Sequence, residues 1–317
     1  MKGKLKIQLA LWTLLFMVAI PISAYGVDGQ IKIAQTAETT FPIQINESGS
    51  YVLTSDLIVT TNVNAINIDA DNVTLDLNGH GIYGPGTGTA YGIYARNQFN
   101  ITIKNGIVRG FDYGIFLFND DDHRGAGHRI EGIQAFNNSR YGIWAYYGTV
   151  TNCTANNNGD SGICAYDSTV TNCTANKNGD FGIYASGSTV TNCTANKNGS
   201  GIYAYRNTVT NCTAYNNDDD GIYASGSTVT NCTANNNGED GICAFYSTVT
   251  NCTANNNGDD GIYAYRSAVK GCNVRYNTGY GINAYPYNYI YRNAASGNTA
   301  GQIYCPSGNT CVDNATF

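Results

Sequence analysis

From residue 142 to 284 the apolar positions recur with a step of twenty residues. Gly-Ile-Trp-Ala at 142 returns as Gly-Ile-Cys-Ala at 162 and 241, as Gly-Ile-Tyr-Ala at 182, 201, 221 and 261, and as Gly-Ile-Asn-Ala at 281, with one step of nineteen. Within a step, three short runs alternate apolar and polar residues, for example Ile183 to Ser186, Thr189 to Thr191 and Cys193 to Ala195. Alternation at period two predicts strands, and it points Ile183, Ala185, Val190, Cys193 and Ala195 inward and Tyr184, Ser186, Thr189, Thr191 and Thr194 outward. Strands this short cannot stand alone. Stacked in register on the next repeat, each pairs above and below at about 4.8 Å, which predicts an all-β solenoid of three-strand coils. The residue missing from the nineteen-residue step falls in Asn198-Gly199-Ser200, where neighbouring coils carry an Asn-Gly-Asp type turn. Turns accept a deletion that would flip every side chain of a strand.

Asn192 sits at the bend between the second and third strands, with Asn152, Asn172, Asn211, Asn231 and Asn251 at the same place in other coils. Asparagine accepts left-handed backbone geometry, and its amide can bond its counterparts above and below, so these residues predict an asparagine ladder. They also open Asn-Cys-Thr glycosylation sequons, but a sugar on every coil would crowd at a 4.8 Å rise. Cys153, Cys173, Cys193, Cys212, Cys232, Cys252 and Cys272 form an inward column that behaves as small hydrophobes. In-register strands point their Cβ vectors the same way, which disfavours disulfides along the stack. Cys305 and Cys311, around Pro-Ser-Gly-Asn-Thr, are a more suitable pair for an exported protein.

Composition narrows the partners. Charged residues make up 13% of the 317 residues and the net charge is −6, so the basic footprint of nucleic-acid binding is missing. Lys2, Lys4 and Lys6 precede an apolar run from Leu9 to Ile20 and small residues at Ser23, Ala24 and Gly26, the pattern of a cleaved signal peptide. The expected organisation is therefore a signal peptide at 1–26 and one solenoid domain at 27–317. That domain divides into capping coils over about 27–90, near-identical repeats over about 142–284 and closing coils over about 285–317. The expected location is secreted, periplasmic or cell-surface, as a monomer without membrane insertion after cleavage.

The Gly-Ile-Tyr-Ala and Thr-Val-Thr-Asn-Cys-Thr-Ala coils resemble the right-handed parallel β-helix proteins of the pectate-lyase-like superfold. So do Asn-Val-Thr-Leu-Asp-Leu-Asn-Gly-His-Gly-Ile-Tyr-Gly at 72–84 and Ile-Thr-Ile-Lys-Asn-Gly-Ile-Val-Arg-Gly at 101–110. The resemblance implies a right-handed parallel β-helix with Gly-Ile-Tyr-Ala as the first strand. It also implies polysaccharide bound over that strand's outer face and, for lyases, calcium on acidic residues. It says less about activity, because the superfold hosts lyases, hydrolases, epimerases and adhesins.

Three groups of residues are candidates for chemistry. Outward on the first strand stand Trp144, Tyr184, Tyr203, Tyr223 and Tyr263, and two residues on Tyr146, Tyr166, Tyr205, Phe245, Tyr265 and Tyr285. Aromatic rings suit the apolar faces of sugars, and a tyrosine ladder also stiffens a sheet. The turns leading into that strand carry Asp160, Asp180, Asp219, Asp220, Glu239, Asp240, Asp259 and Asp260. Stacked like charges repel, so Asp219, Asp220, Asp240 and Asp260 are candidate calcium ligands, with solvated splayed carboxylates as the other reading. The widest spacing, between Gly114 and Gly142, inserts residues 119–129, whose Asp120, Asp121, Asp122, His123, Arg124 and His128 offer acid–base groups. The resemblance adds Arg206 and Arg266 as candidate lyase bases. These readings predict a binder of extracellular polysaccharide, with a polysaccharide lyase or hydrolase and an architectural spacer as alternatives.

Overall fold

The computed structural model describes residues 29–120 and 125–317; the signal-peptide reading and Asp121, Asp122, His123 and Arg124 lie outside the described residues. The described chain winds into a parallel β-solenoid without helices. One face, here sheet 1, stacks thirteen strands from Ile43–Ile45 to Gly301–Tyr304 in chain order. Its repeats include Tyr141–Tyr146, Ile163–Tyr166, Phe181–Ser186, Ser200–Tyr205, Ile222–Ser225, Ile242–Phe245 and Ile262–Tyr265. The other two faces carry the Thr-Val-Thr strands, such as Thr189–Thr191 (sheet 2), and the Thr-Ala-Asn strands, such as Thr194–Asn196 (sheet 3). Every pairing is parallel and in register, as in Ile183↔Ile202, Val190↔Val209 and Ala195↔Ala214.

The inward set is as the alternation requires: Ile183, Ala185, Val190 and Ala195 are fully buried and Cys193 is 1% exposed. One boundary differs. The third strand starts at Thr194, not Cys193, because Asn192 takes φ 53° and turns the chain there. Asn152, Asn172, Asn211, Asn231 and Asn251 are left-handed too, and Asn192 donates Nδ2 to Asn172 Oδ1 at 3.3 Å. The seven cysteines of the column are free and buried; Cys193 donates Sγ to the Thr191 carbonyl at 3.2 Å. Cys305 and Cys311 form a disulfide.

A second asparagine ladder, fully inside, is what the alternation does not announce. Asn138, Asn158, Asn178, Asn198, Asn217, Asn237, Asn257, Asn277 and Asn298 are all 5% exposed or less. In the rungs from Asn138 to Asn277 the amide donates to the next asparagine's Oδ1 and to a core carbonyl, as Asn178 does to Asn198 at 2.9 Å and to the Ala155 carbonyl at 3.0 Å, and Asn298 ends the column on Gln302 Oε1. The same Oδ1 receives a backbone N–H, so turn groups that would otherwise be orphaned are satisfied. The ladder also explains the glycine that opens each Gly-Ile strand. A Cβ on Gly182 would stand 2.6 Å from Asn198 Nδ2 and 2.8 Å from the Gly201 carbonyl. At the opposite corner Ser168, Ser188, Ser227, Ser247 and Ser267 do similar work, Ser188 Oγ donating to the Ser186 carbonyl at 2.9 Å.

Candidate functional site

Because sheet 1 is in register, its outward aromatics stand above one another and touch. Ring contacts run without a break through Tyr94, Phe116, Trp144, Tyr166, Tyr184, Tyr203, Tyr223, Phe245, Tyr263 and Tyr285. Tyr184, Tyr203 and Tyr223 are parallel, with centroids 5.0 and 4.9 Å apart. Nine rises of about 4.8 Å make this strip ~43 Å long. Its rings are half-buried up to Tyr263 and exposed at Tyr285; the parallel ones stack face to face along the axis, so each ring's faces are largely taken by its neighbours. Tyr94 and Phe116 extend it before the near-identical repeats begin, and Tyr146 stacks on Tyr166 at 4.5 Å.

Twice the ladder has a cysteine where a ring would stand, Cys164 and Cys243, and the contacts sidestep to Tyr166 and Phe245. Burial raises both thiols well above their ordinary range, and beside Cys243 the carboxyls of Asp220 and Asp240 push the same way. Asn283 takes the ring's place one coil past Tyr263. Around Cys243 the missing ring opens a notch of about 440 Å³ lined by Asp240, Phe245, Asp259, Asp260, Tyr263, Tyr280 and Asn283.

The upstream border of the strip is acidic, and its carboxylates are built into the backbone. Asp220 accepts the Asp240 N–H at 3.1 Å, Asp240 accepts the Asp260 N–H at 3.0 Å, and Asp260 accepts the Tyr280 N–H at 2.6 Å and Asn283 Nδ2 at 2.7 Å. Burial, with the neighbouring carboxyls, lifts Asp220 to about 6 and Asp240 to about 8, and it raises Asp260 and Asp180 as well. One carboxylate oxygen from each of Asp240, Asp259 and Asp260 lies within 4.8 Å of the others. Asn283 Oδ1 is buried in the same wall with no partner. Three converging carboxyl oxygens are the donor type a hard cation such as calcium takes. Of the four residues expected to hold it, Asp240 and Asp260 converge with Asp259; Asp220 stands one coil away and Asp219 faces solvent outside the cluster.

The remaining candidates lie elsewhere. Asp120 is tied to Asn97, accepting its Nδ2 at 2.7 Å. His128 is 2% exposed, bonded through Nε2 to Asn119 Oδ1 at 2.7 Å and through Nδ1 to the Ile101 N–H at 3.3 Å. Burial lowers it to about 4, so the ring is neutral and fastens the base of the insertion. Arg206 lies over the Tyr205 ring at 5.1 Å, and Arg266 among Tyr246, Tyr265 and Tyr287. Both follow their strands, whereas the carboxylates precede theirs. A four-residue strand separates the two borders by ~13 Å, so the arginines do not meet the acidic column. Cys243, Tyr280 and Asn283 escaped the sequence reading, and Asp259 entered it only as one of the acidic turn residues; for Cys243 and Asn283 the signal was a non-aromatic residue where the ladder expects a ring.

The chain belongs to the right-handed β-helix family. The family model, described as a right handed beta helix region, matches residues 42–189, 91–228 and 185–317. Among solved structures it is similar to the A-module of mannuronan C-5 epimerase AlgE4 from Azotobacter vinelandii, with 15% identity, TM-score 0.60 and 89% of each chain covered. The A-module of epimerase AlgE6 from the same organism gives 14% identity and TM-score 0.56, covering 91% of this chain and 89% of that one. The Dettilon tailspike protein gives 16% and 0.53, covering 88% of this chain and 62% of the other. A search of curated proteins finds no match. At these identities the likeness is one of fold.

Proposed function

We propose that the protein is exported and binds an extracellular polysaccharide laid along sheet 1, parallel to the solenoid axis. The observation that carries this is the unbroken run of ten touching rings from Tyr94 to Tyr285, one per coil, partly exposed and bordered in its later coils by hydrogen-bonding carboxyls. The apolar faces of pyranose rings can pack against the exposed parts of these rings, and a rise of about 4.8 Å offers one aromatic rung per coil to a repeating polymer. Two of the structures it resembles act on mannuronan, which is in keeping with a carbohydrate ligand on this fold.

A second reading, a polysaccharide-cleaving enzyme, is favoured by one observation: the notch pairs Asp240, held near pH 8, with the exposed Asp259, two carboxyls in unlike environments. A bound calcium ion would sit on Asp240, Asp259 and Asp260 and neutralise acidic sugar groups. In either case we take the notch as the centre; Asn119, Asp120 and His128, at the described ends of the insertion, are bonded into the solenoid. The test is retention of the purified protein on a panel of neutral, acidic and basic polysaccharides, with reducing and unsaturated ends measured in parallel. Retention without product supports binding alone; product that disappears in Asp240→Asn with Asp259→Asn supports the enzyme; retention on no polymer overturns both.

A further inference from the structure

The two borders of sheet 1 carry opposite charge. Upstream, the turns leading into the strands present the exposed carboxylates of Asp219, Glu239 and Asp259, one per coil. Downstream, at the corner where sheet 1 passes into sheet 2, stand Arg206, Tyr246, Arg266 and Tyr287. These tyrosines are open to solvent, Tyr246 57% and Tyr287 67% exposed, and Arg266 lies between them, 5.6 Å and 5.5 Å from their rings. All four corner residues take a left-handed backbone, with φ between 50° and 72°, where the same corner of other coils has Gly187 and Gly226. Large side chains disfavour that conformation, so their place here lies in what they present outward. Exposed tyrosine and arginine are the residues that dominate contacts between proteins. Among the described residues neither arginine pairs with a carboxylate, and the three upstream carboxylates pair with no base.

The borders are also level with each other. Arg266 follows the strand Ile262–Tyr265 that Asp259 leads into, and Glu239 leads into the strand one coil before it. Arg206 follows Ser200–Tyr205, one coil before the strand that Asp219 leads into. A copy moved sideways, with no shift along the axis, therefore brings Arg266 opposite Asp259 and Glu239, and Arg206 to within one rise of about 4.8 Å of the level of Asp219. At physiological salt a charge reaches about 8 Å, so the facing borders decide the contact and the net charge of −6 does not.

We propose that the protein associates side by side with a second copy, the tyrosine–arginine border of one chain against the carboxylate border of the next, in place of the monomer expected from the sequence. The contact is heterologous, so a pair keeps one free border of each kind and further copies can add. It sets the sheet 1 faces beside one another and widens the aromatic surface. A line of corners belongs with small, transient contacts, so association is weak and rises with concentration. It needs no bound polymer and stands apart from the polysaccharide reading.

Sedimentation velocity over a concentration series tests this. The expected result is a weight-average mass that climbs from monomer toward dimer and beyond at physiological salt and returns to monomer at high salt. Arg206→Glu with Arg266→Glu should stay monomeric, as should Asp219→Lys with Glu239→Lys, with circular dichroism confirming both folds. Mixing the two double variants should restore association, because each reversed border then meets its complement. A parent protein that stays monomeric at every concentration overturns the proposal. So does association that survives in either double variant alone, or a mixture of the two folded variants that stays monomeric. Retention of a monomeric parent on an anionic polymer, lost in Arg206→Glu with Arg266→Glu, would overturn it too and give that border to a glycan.

Discussion

Replacing Asn237 by Ala tests how the coils are held together. Asn237 Oδ1 accepts the Asn217 N–H at 3.2 Å and Asn217 Nδ2 at 2.9 Å, and its own Nδ2 donates to Asn257 Oδ1 at 3.0 Å and to the Ala214 carbonyl at 3.3 Å. The alanine leaves the Asn217 N–H and one Asn217 amide hydrogen buried with no partner and takes a second donor from the Ala214 carbonyl. At ~1–3 kcal/mol for each orphaned buried group, partly relieved by water, the expected loss is about 3–5 kcal/mol. Asn192→Ala is the control: it removes one exposed bond and puts alanine in a left-handed position, an expected loss of about 1 kcal/mol. Urea unfolding followed by far-ultraviolet circular dichroism measures both. Hydrogen exchange at the Asn217 amide adds a local reading, since a solenoid couples mainly to its nearest coils. A cost for Asn237→Ala no larger than for Asn192→Ala would refute the assignment of the buried ladder as the principal polar fastening.

Two further outcomes follow from the same geometry. Asp240 is held up to about 8 in the fold by burial and by the Asp220 and Asp260 carboxyls, with Glu239, Asp259 and the Cys243 thiol also facing it. The folded state therefore keeps its proton after the unfolded chain has lost it; the contribution is whole below the ordinary carboxyl value of 3.8 and is lost as pH rises through about 8. Asp240→Asn, which keeps an oxygen for the Asp260 N–H, should match the parent in acid and become progressively more stable than it, by up to a few kcal/mol, as pH rises from about 3.8 toward about 8; thermal unfolding across pH checks this, and a constant difference would contradict it. The nine free cysteines are all buried, so a thiol reagent followed by mass spectrometry should label none in the native protein and all nine after denaturation, with Cys243, the most accessible at 8%, reacting first.

The coil length, the inward set and the outward rings were legible because a period-two strand inside a twenty-residue repeat fixes each residue's face. The aromatic strip followed from Tyr184, Tyr203, Tyr223 and Tyr263 on that argument alone. Asn237 and Ser188 were not legible. A polar residue at a turn reads as solvent-facing, and only the closed coil shows that these side chains point inward to bond carbonyls of the preceding turn. The notch was hidden for a different reason. The repeat draws attention to identical residues, while the notch opens where Cys243 and Asn283 stand in place of rings, beside an acidic pair that recurs from coil to coil. The 119–129 insertion drew attention by its length and charge, but its described ends, Asn119 and His128, are buried and bonded to each other.

The central claim is that sheet 1 holds a polysaccharide through its stacked rings. Affinity for the best-retained polymer should therefore be measured with Tyr184→Ala, Tyr203→Ala and Tyr223→Ala combined, three outward substitutions that leave the core untouched. At ~0.5–1.5 kcal/mol per lost aromatic contact the account predicts a fall of roughly a hundredfold with the fold intact. Unchanged affinity in the triple variant would contradict it.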